Sequence, residues 1–207
     1  MTVKLYVEGG GNQNKSLQTE CRRGFSEFIK KAGMEGRMPR IVACGGRQEA
    51  YKNFRNAHET DRQLAIPVLL VDSEGPVTAE RAWHHVRDRP GDRWECPDGV
   101  TEDQIHLMVQ VMEAWFFADK STLGAYFGHR FQETALSERR DLENVPKSDI
   151  FTQLSNATRQ TAKGQYSKGK HSFEILSRID PGKVRDASSH AERFLETLDR
   201  LTSHPYR

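Results

Sequence analysis

The chain has 207 residues, of which 36% are hydrophobic and 29% charged, and it carries a net charge of +2. That is enough chain for one sizeable core with at most a small appendage, and the composition is that of an ordinary globular protein, not a disordered tail or a disulfide scaffold. So small a net charge excludes a whole-molecule field as the means of gathering nucleic acid or acidic lipid, so any such partner must be met by local charge.

The first residues, Val3-Lys4-Leu5-Tyr6-Val7, read as a short strand that ends in Glu8-Gly9-Gly10-Gly11. No charged-then-apolar leader precedes it, and no apolar run of about eighteen residues follows, so neither a signal peptide nor a membrane span is expected. Leu17, Cys21, Phe25, Phe28 and Ala32 then recur at helical spacing, with Gly33 as the stop. Arg40-Ile41-Val42-Ala43-Cys44 is a buried-type strand closed by Gly45-Gly46. Residues 47–60 are expected to be helical, with Ala50, Phe54 and Ala57 inward. Residues 66–71 form a third strand, which ends in Asp72-Ser73-Glu74-Gly75. Strand, helix, strand, helix, strand with short connections predicts a parallel sheet with helices packed on it.

Beyond the third strand the pattern loosens. Residues 78–86 are expected to form a short helix, and residues 87–99, rich in Pro, Gly and Asp, a loop. Residues 105–110 fit either a fourth strand or the start of the helix expected over Met112–Asp119, because a short apolar run has no decisive period. Residues 129–147 are polar and broken by Pro146. A helix is expected around Ile150, Leu154 and Ala157, then a basic loop over residues 163–171. A short helix ended by Asp180-Pro181-Gly182 and one last amphipathic helix from Val184 to Leu201 complete the chain. This divides it into an α/β core over residues 1–128 and a helical extension over residues 129–207 packed on that core. Cys21, Cys44 and Cys96 have neither disulfide-framework nor zinc spacing and suit a reducing cytoplasm.

The chemistry concentrates at two strand ends. Ligands of open parallel sheets bind beyond the carboxyl ends of the strands. If the first and third strands are neighbours, Glu8, Asp72 and Glu74 converge, and three carboxylates in one place need a cation; hard oxygen donors suit Mg2+ or Mn2+. Asp72 and Glu74 are two residues apart, on one side of an extended chain. The plainer alternatives are a tight turn at Glu8 and a helix cap at Asp72. Gly9, Gly10 and Gly11 would let backbone N–H groups approach a phosphate, although the lysine and serine that follow lack the second glycine of a nucleotide-binding P-loop.

Three other groups stand out. Glu113 lies among apolar residues, where a carboxylate needs a partner: either it is a further metal ligand or it sits in a buried ion pair. On an α-helix Asp119 would lie about 240° away from it, and Asp119 is expected to be structural. Lys163, Tyr166, Lys168, Lys170 and His171 form a basic stretch with an aromatic inside it, suited to phosphate contact and base stacking or, more plainly, to a solvated loop. His84-His85 has no third ligand nearby, so no zinc is expected.

Strand-Glu-Gly followed by an apolar strand ending in Asp-x-Glu resembles the Toprim domain of topoisomerases, bacterial primases and overcoming-lysogenization-defect nucleases. With Met112-Glu113-Ala114-Trp115-Phe116-Phe117-Ala118-Asp119 included, the chain is similar to a family of small Toprim-like bacterial proteins often encoded beside ATPases in phage-defence loci. The resemblance runs from the first strand to Asp180-Pro181. It implies a Toprim-like central sheet, with Glu8 as catalytic carboxylate and Asp72 and Glu74 as holders of Mg2+ or Mn2+. Two departures are Asn12, where many Toprim loops place an acid, and Glu74 in place of the commoner Asp.

The expectation is therefore a Mg2+-dependent nuclease in the cytoplasm, acting on DNA or RNA, with Glu8 moving the proton and Lys168, Lys170 or His171 holding the phosphate or the leaving oxygen. An ATPase partner and a defence role follow only from the resemblance, and a homodimer stays open. The alternatives are a non-catalytic nucleic-acid or protein-binding module with a structural metal, and a metal-dependent nucleotidyl or phosphoryl transferase.

Overall fold

Short, largely apolar strands are best accommodated inside a parallel sheet covered on both faces, and that is where they lie. The computed structural model describes residues 2–11, 14–60 and 64–203. In chain order it places β1 (Thr2–Val7), α1 (Lys15–Ile29), β2 (Arg40–Ala43), α2 (Arg47–Thr60) and β3 (Ala65–Asp72). These are followed by α3 (Ala82–Asp88), β4 (Ile105–Met108), a 3-10 helix over Met112–Asp119, and α4 (Lys120–Phe127). The chain continues as α5 (Lys147–Thr158), α6 (Lys168–Leu176), α7 (Pro181–Ala187) and α8 (Ser189–Ser203). The four strands are all parallel, in the order β2-β1-β3-β4. This is the α/β fold expected, and β1 and β3 are indeed neighbours, with Val7 opposite Leu70.

Successive residues of a strand face opposite sides. Val3, Leu5 and Val7 therefore pack with Phe25 and Phe28 of α1, whereas Tyr6, Leu69 and Val71 pack with Phe54 of α2 and Trp83 of α3. The C-terminal helices close over the α1 face. Phe28 stacks on Trp115, which stacks in turn on Phe194 of α8. Trp115 is fully buried, so truncating it to alanine would cost roughly 3–5 kcal/mol. Among the described residues no helix is long and apolar enough to cross a membrane.

Several local expectations change. Residues 105–108 are a strand, buried on both faces. The helix expected from residue 78 begins at Ala82. Met112–Asp119 winds as a 3-10 helix, so at three residues per turn Glu113 and Asp119 fall on the same side, two turns apart, and not about 240° apart. Asp180-Pro181-Gly182 starts a helix instead of ending one: the Asp180 carboxylate accepts from the Gly182 N–H, and Pro181 occupies the first turn, where its missing N–H costs nothing. The last amphipathic stretch is two helices, separated at Ser188, whose extended backbone ends α7 and whose hydroxyl accepts from the Ala191 N–H at the start of α8.

Candidate metal centre

β1 and β3 run side by side, but the chain leaves β1 towards β2 on one side and later returns to β3 on the other. Such a reversal of strand order opens a crevice at the carboxyl ends, the usual ligand site of an open α/β sheet. Glu8 follows β1 and Asp72 ends β3, so both stand at that crevice. β3 keeps pairing past its end: the Ser73 N–H donates to the Met108 carbonyl and the Glu74 N–H to the Gln110 carbonyl. Glu74 itself adopts a left-handed backbone, φ 67°. One oxygen from each of Glu8, Asp72 and Glu74 lies within 4.8 Å of the other two. Oxygens that share one ion lie at most about 4–5 Å apart, twice the ligand distance of roughly 2.1–2.6 Å. Three hard donors at this spacing fit a divalent cation such as Mg2+.

The electrostatics around the three acids are unequal. Burial pushes the Glu8 carboxyl up to about 7, with the Asp72 charge adding to the shift and Arg47 and Lys168 opposing it. Its hydrogen bonds are long, 3.2 Å from the Asp72 N–H and 3.4 Å from Arg47. Asp72 is buried and receives the Met112 N–H at 2.8 Å on Oδ1, while Lys168 Nζ stands 3.4 Å from Oδ2. Burial raises the Glu74 carboxyl, but Lys147, Arg47 and Arg89 together bring it below the ordinary range. Lys147 Nζ is 2.5 Å from Glu74 Oε2, and Arg89 is 3.9 Å from it. Each acid thus already faces a cation of the protein.

The sequence did not point to three of these cations. Arg47 is gripped by Asp92 through two hydrogen bonds, lies 4.7 Å over the Trp94 ring and donates to the Asp72 carbonyl. The available signal was its place just after Gly45-Gly46, the same strand-end position that drew attention to Glu8. Lys147 and Arg89 sit on a helix start and in a loop, with nothing in their neighbourhoods to mark them.

The glycines behave as expected of residues that clear space. Gly9 and Gly10 have φ of 133° and 90°. A Cβ on Gly10 would stand 2.9 Å from the Gln18 Cα, a backbone atom that cannot yield, and one on Gly9 would meet the Phe173 ring at the same distance. Both, with Gly11, line a cavity of about 420 Å³ whose other walls include Gly45, Gly46 and Gly169. Glu8, Asp72 and Lys168 line it as well. Asn12, the departure at the glycine loop, lies outside the described residues.

The basic stretch is only partly brought to the site. Residues 168–171 belong to α6 and are not a loop, and of the expected cations Lys168 alone lines the cavity. Burial would lower the Lys168 ammonium, but Asp72, Glu113 and Glu8 hold it above its ordinary value. Lys163 stands 4.6 Å over the Tyr126 ring, and Lys170 donates to the Lys163 carbonyl. His171 is buried against Tyr126, Phe127 and Tyr166, and its Nδ1 accepts from the Ser167 N–H. Tyr166 donates its hydroxyl to Glu113 Oε1 at 2.9 Å and packs its half-buried ring edge-on against Phe116.

Glu113 is fully buried and lies behind the three acids, outside their shared 4.8 Å grouping. Its Oε2 accepts no hydrogen bond and faces Lys168 Nζ at 3.7 Å. Burial, reinforced by Asp72, raises its carboxyl, against the pull of Lys168. Asp119 is structural: it caps α4 and receives the Asp180 N–H and Lys183.

Against known families, residues 7–199 match the family described as a domain of unknown function, DUF4276, and the chain belongs to that family. No curated protein and no solved structure is detectably similar to it.

Proposed function

We propose that the chain is a divalent-metal-dependent phosphodiesterase acting on nucleic acid, with Glu8, Asp72 and Glu74 holding Mg2+ or Mn2+. The observation that supports this reading best is the convergence of three carboxylate oxygens from two adjacent parallel strands at the reversal of strand order. A bound divalent ion supplies neutralisation of phosphate charge and a more acidic water.

The chain's own residues supply the rest. Asp72 is fixed by the Met112 N–H on one oxygen and keeps the other turned to the site. Glu8, whose carboxyl burial and Asp72 raise while no ion is bound, can hold the ion through one oxygen and take up a proton from water on the other. Lys168 can hold a phosphate oxygen or the charge that develops on the leaving oxygen. Glu113, itself held by the Tyr166 hydroxyl, faces Lys168 and helps to place it. The Toprim-like ancestry, the ATPase partner and the defence setting rest on the sequence resemblance alone.

One observation favours a second reading. Because each acid already faces a lysine or arginine, the cluster is balanced without an ion, as in a non-catalytic binding module. Incubation of the purified protein with single- and double-stranded DNA and RNA, with Mg2+ or Mn2+, separates the two. The proposal expects metal-dependent cleavage that falls by about 100-fold or more in Glu8→Gln and in Asp72→Asn. Tight binding without turnover, or activity untouched by both changes, would favour the module.

A further inference from the structure

We infer that the cavity beside the three acids is a subsite for one unstacked nucleotide, so that the substrate is a single strand, a strand end or a free nucleotide, and not an intact duplex. This rests on the proposed function for the position of the phosphate, and on the cavity walls for everything else.

The cavity measures about 420 Å³, towards the lower end of the roughly 300–1,000 Å³ of small-ligand pockets. That is room for one nucleotide, and no groove for a helix. The charged groups in its lining, Glu8, Asp72 and Lys168, stand together. The rest of the lining includes Leu17, Met108, Met112 and Phe173, the two methionines adjoining Asp72 and Leu17 and Phe173 lying towards the glycine turn. Between them lie peptide planes of the glycine turns after β1 and β2, pinned to each other by paired Gly9–Gly45 hydrogen bonds. Flat peptide surfaces, methionine thioethers and an aromatic ring form a floor for a planar, mostly apolar group such as a base. Among the described residues Lys168 is the one lysine or arginine lining the cavity, whereas a surface that follows several phosphates of a duplex needs several cations.

The recess on the other side of the acids makes the contrast. It measures about 340 Å³ and is lined by Glu74, His84, His85, Asp88 and Arg89. Beside Pro76 and Ala79 it offers hydrogen-bonding groups suited to a sugar-phosphate continuation, and among the described residues its lining holds no methionine or phenylalanine. A phosphate at the acids would therefore carry its base on the glycine side and its chain on the histidine side. Enzymes that act on a nucleotide drawn from its stack read it in a snug pocket, stacked between aromatic or apolar side chains.

The plug for the test is Gly169→Leu. Gly169 sits in the first turn of α6 and lines the cavity, and a Cβ there meets nothing within 4 Å. Calorimetric titrations compare dAMP, adenosine and inorganic phosphate, each with and without Mn2+, on wild type and on the variant. Mn2+ affinity and the melting curve are measured first. The inference expects dAMP with Mn2+ to bind about tenfold or more tighter than phosphate, and Gly169→Leu to erase that advantage while phosphate and Mn2+ binding stay unchanged. Adenosine alone should bind weakly and lose its binding in the variant. If Mn2+ binds but dAMP is no better than phosphate, or if the variant changes nothing, the subsite is overturned and the metal centre stands. If Mn2+ fails to bind while adenosine binding remains sensitive to the variant, the metal centre is overturned and the subsite stands.

Discussion

Asp119 and Glu8 are both acids at the junction of two elements, yet the chain treats them in opposite ways. Asp119 receives Ser121 Oγ at 2.8 Å, Thr122 Oγ1 at 2.7 Å, the Asp180 N–H at 3.0 Å and Lys183 Nζ at 2.6 Å. Burial raises its carboxyl, but these donors outweigh burial and hold it far below the ordinary range. Glu143 is similar: Ser188 Oγ, the His190 N–H and the His190 ring surround it, and its carboxyl sits at about 2 despite burial. Glu8 and Glu113 have few donors and acidic neighbours, and both are pushed upward, first by burial. An acid used as a rivet is saturated with donors. An acid kept short of donors beside other acids costs stability, and a cation or a substrate can relieve that cost.

The largest contrast should appear in turnover. Asp72→Asn is expected to lower metal-dependent cleavage by about 10³-fold, some 4 kcal/mol of barrier, with a melting temperature close to that of wild type, because asparagine keeps the acceptor for the Met112 N–H. Asp119→Ala should do the reverse. It strands several donors and should cost about 2–4 kcal/mol in urea unfolding, with normal Mn2+ affinity in the folded protein.

The two sets should also titrate with opposite signs. Glu143 has a depressed carboxyl, so its stabilisation is complete above its ordinary value of 4.5 and fades as pH falls towards about 2. Its side chain is only 17% exposed, and the contribution is on the order of 2 kcal/mol. Denaturation followed against pH should show that loss, and Glu143→Gln should abolish it. Glu8 is raised from 4.5 to about 7, so the metal-free protein loses stability as pH climbs through that window. Glu8→Gln should remove the slope and stabilise the metal-free protein above it by about 2 kcal/mol.

The smallest effect concerns Lys147. Its ammonium competes with an incoming ion for Glu74. Lys147→Met should tighten Mn2+ binding by a few-fold, in keeping with a half-exposed ion pair worth about 1 kcal/mol or less, and leave stability nearly unchanged. Weaker Mn2+ binding in this variant would mean that Lys147 supports the site instead of competing for it.

What the sequence revealed of this contrast followed burial. The strands of a covered parallel sheet must be short apolar runs, so β1, β2 and β3 stood out, and an acid at the end of each of two such runs was conspicuous. Glu8 and Asp72 needed only the adjacency of β1 and β3 to become a site. The partners of those acids left no such trace, because Arg47, Lys147 and Arg89 reach the crevice by long side chains from positions that look solvated. The segment over residues 163–171 misled for a related reason. Lysines and a glycine at 168–170 oppose a helix N-terminus, yet α6 starts there, held by the packing of Phe173, Ile175 and Leu176. His171 was thereby turned inward, away from the acids. Met112–Asp119 is buried on nearly every side, and without a polar face it had no period from which its 3-10 winding could be read.

Manganese located directly in crystals of the protein tests the central claim best. Crystals soaked in Mn2+ and measured at its absorption edge should show one anomalous peak with oxygens of Glu8, Asp72 and Glu74 about 2.1–2.2 Å away, and Lys147 drawn off Glu74. No peak between the three carboxylates at saturating Mn2+, or a peak elsewhere with the Lys147–Glu74 pair intact, would contradict the account.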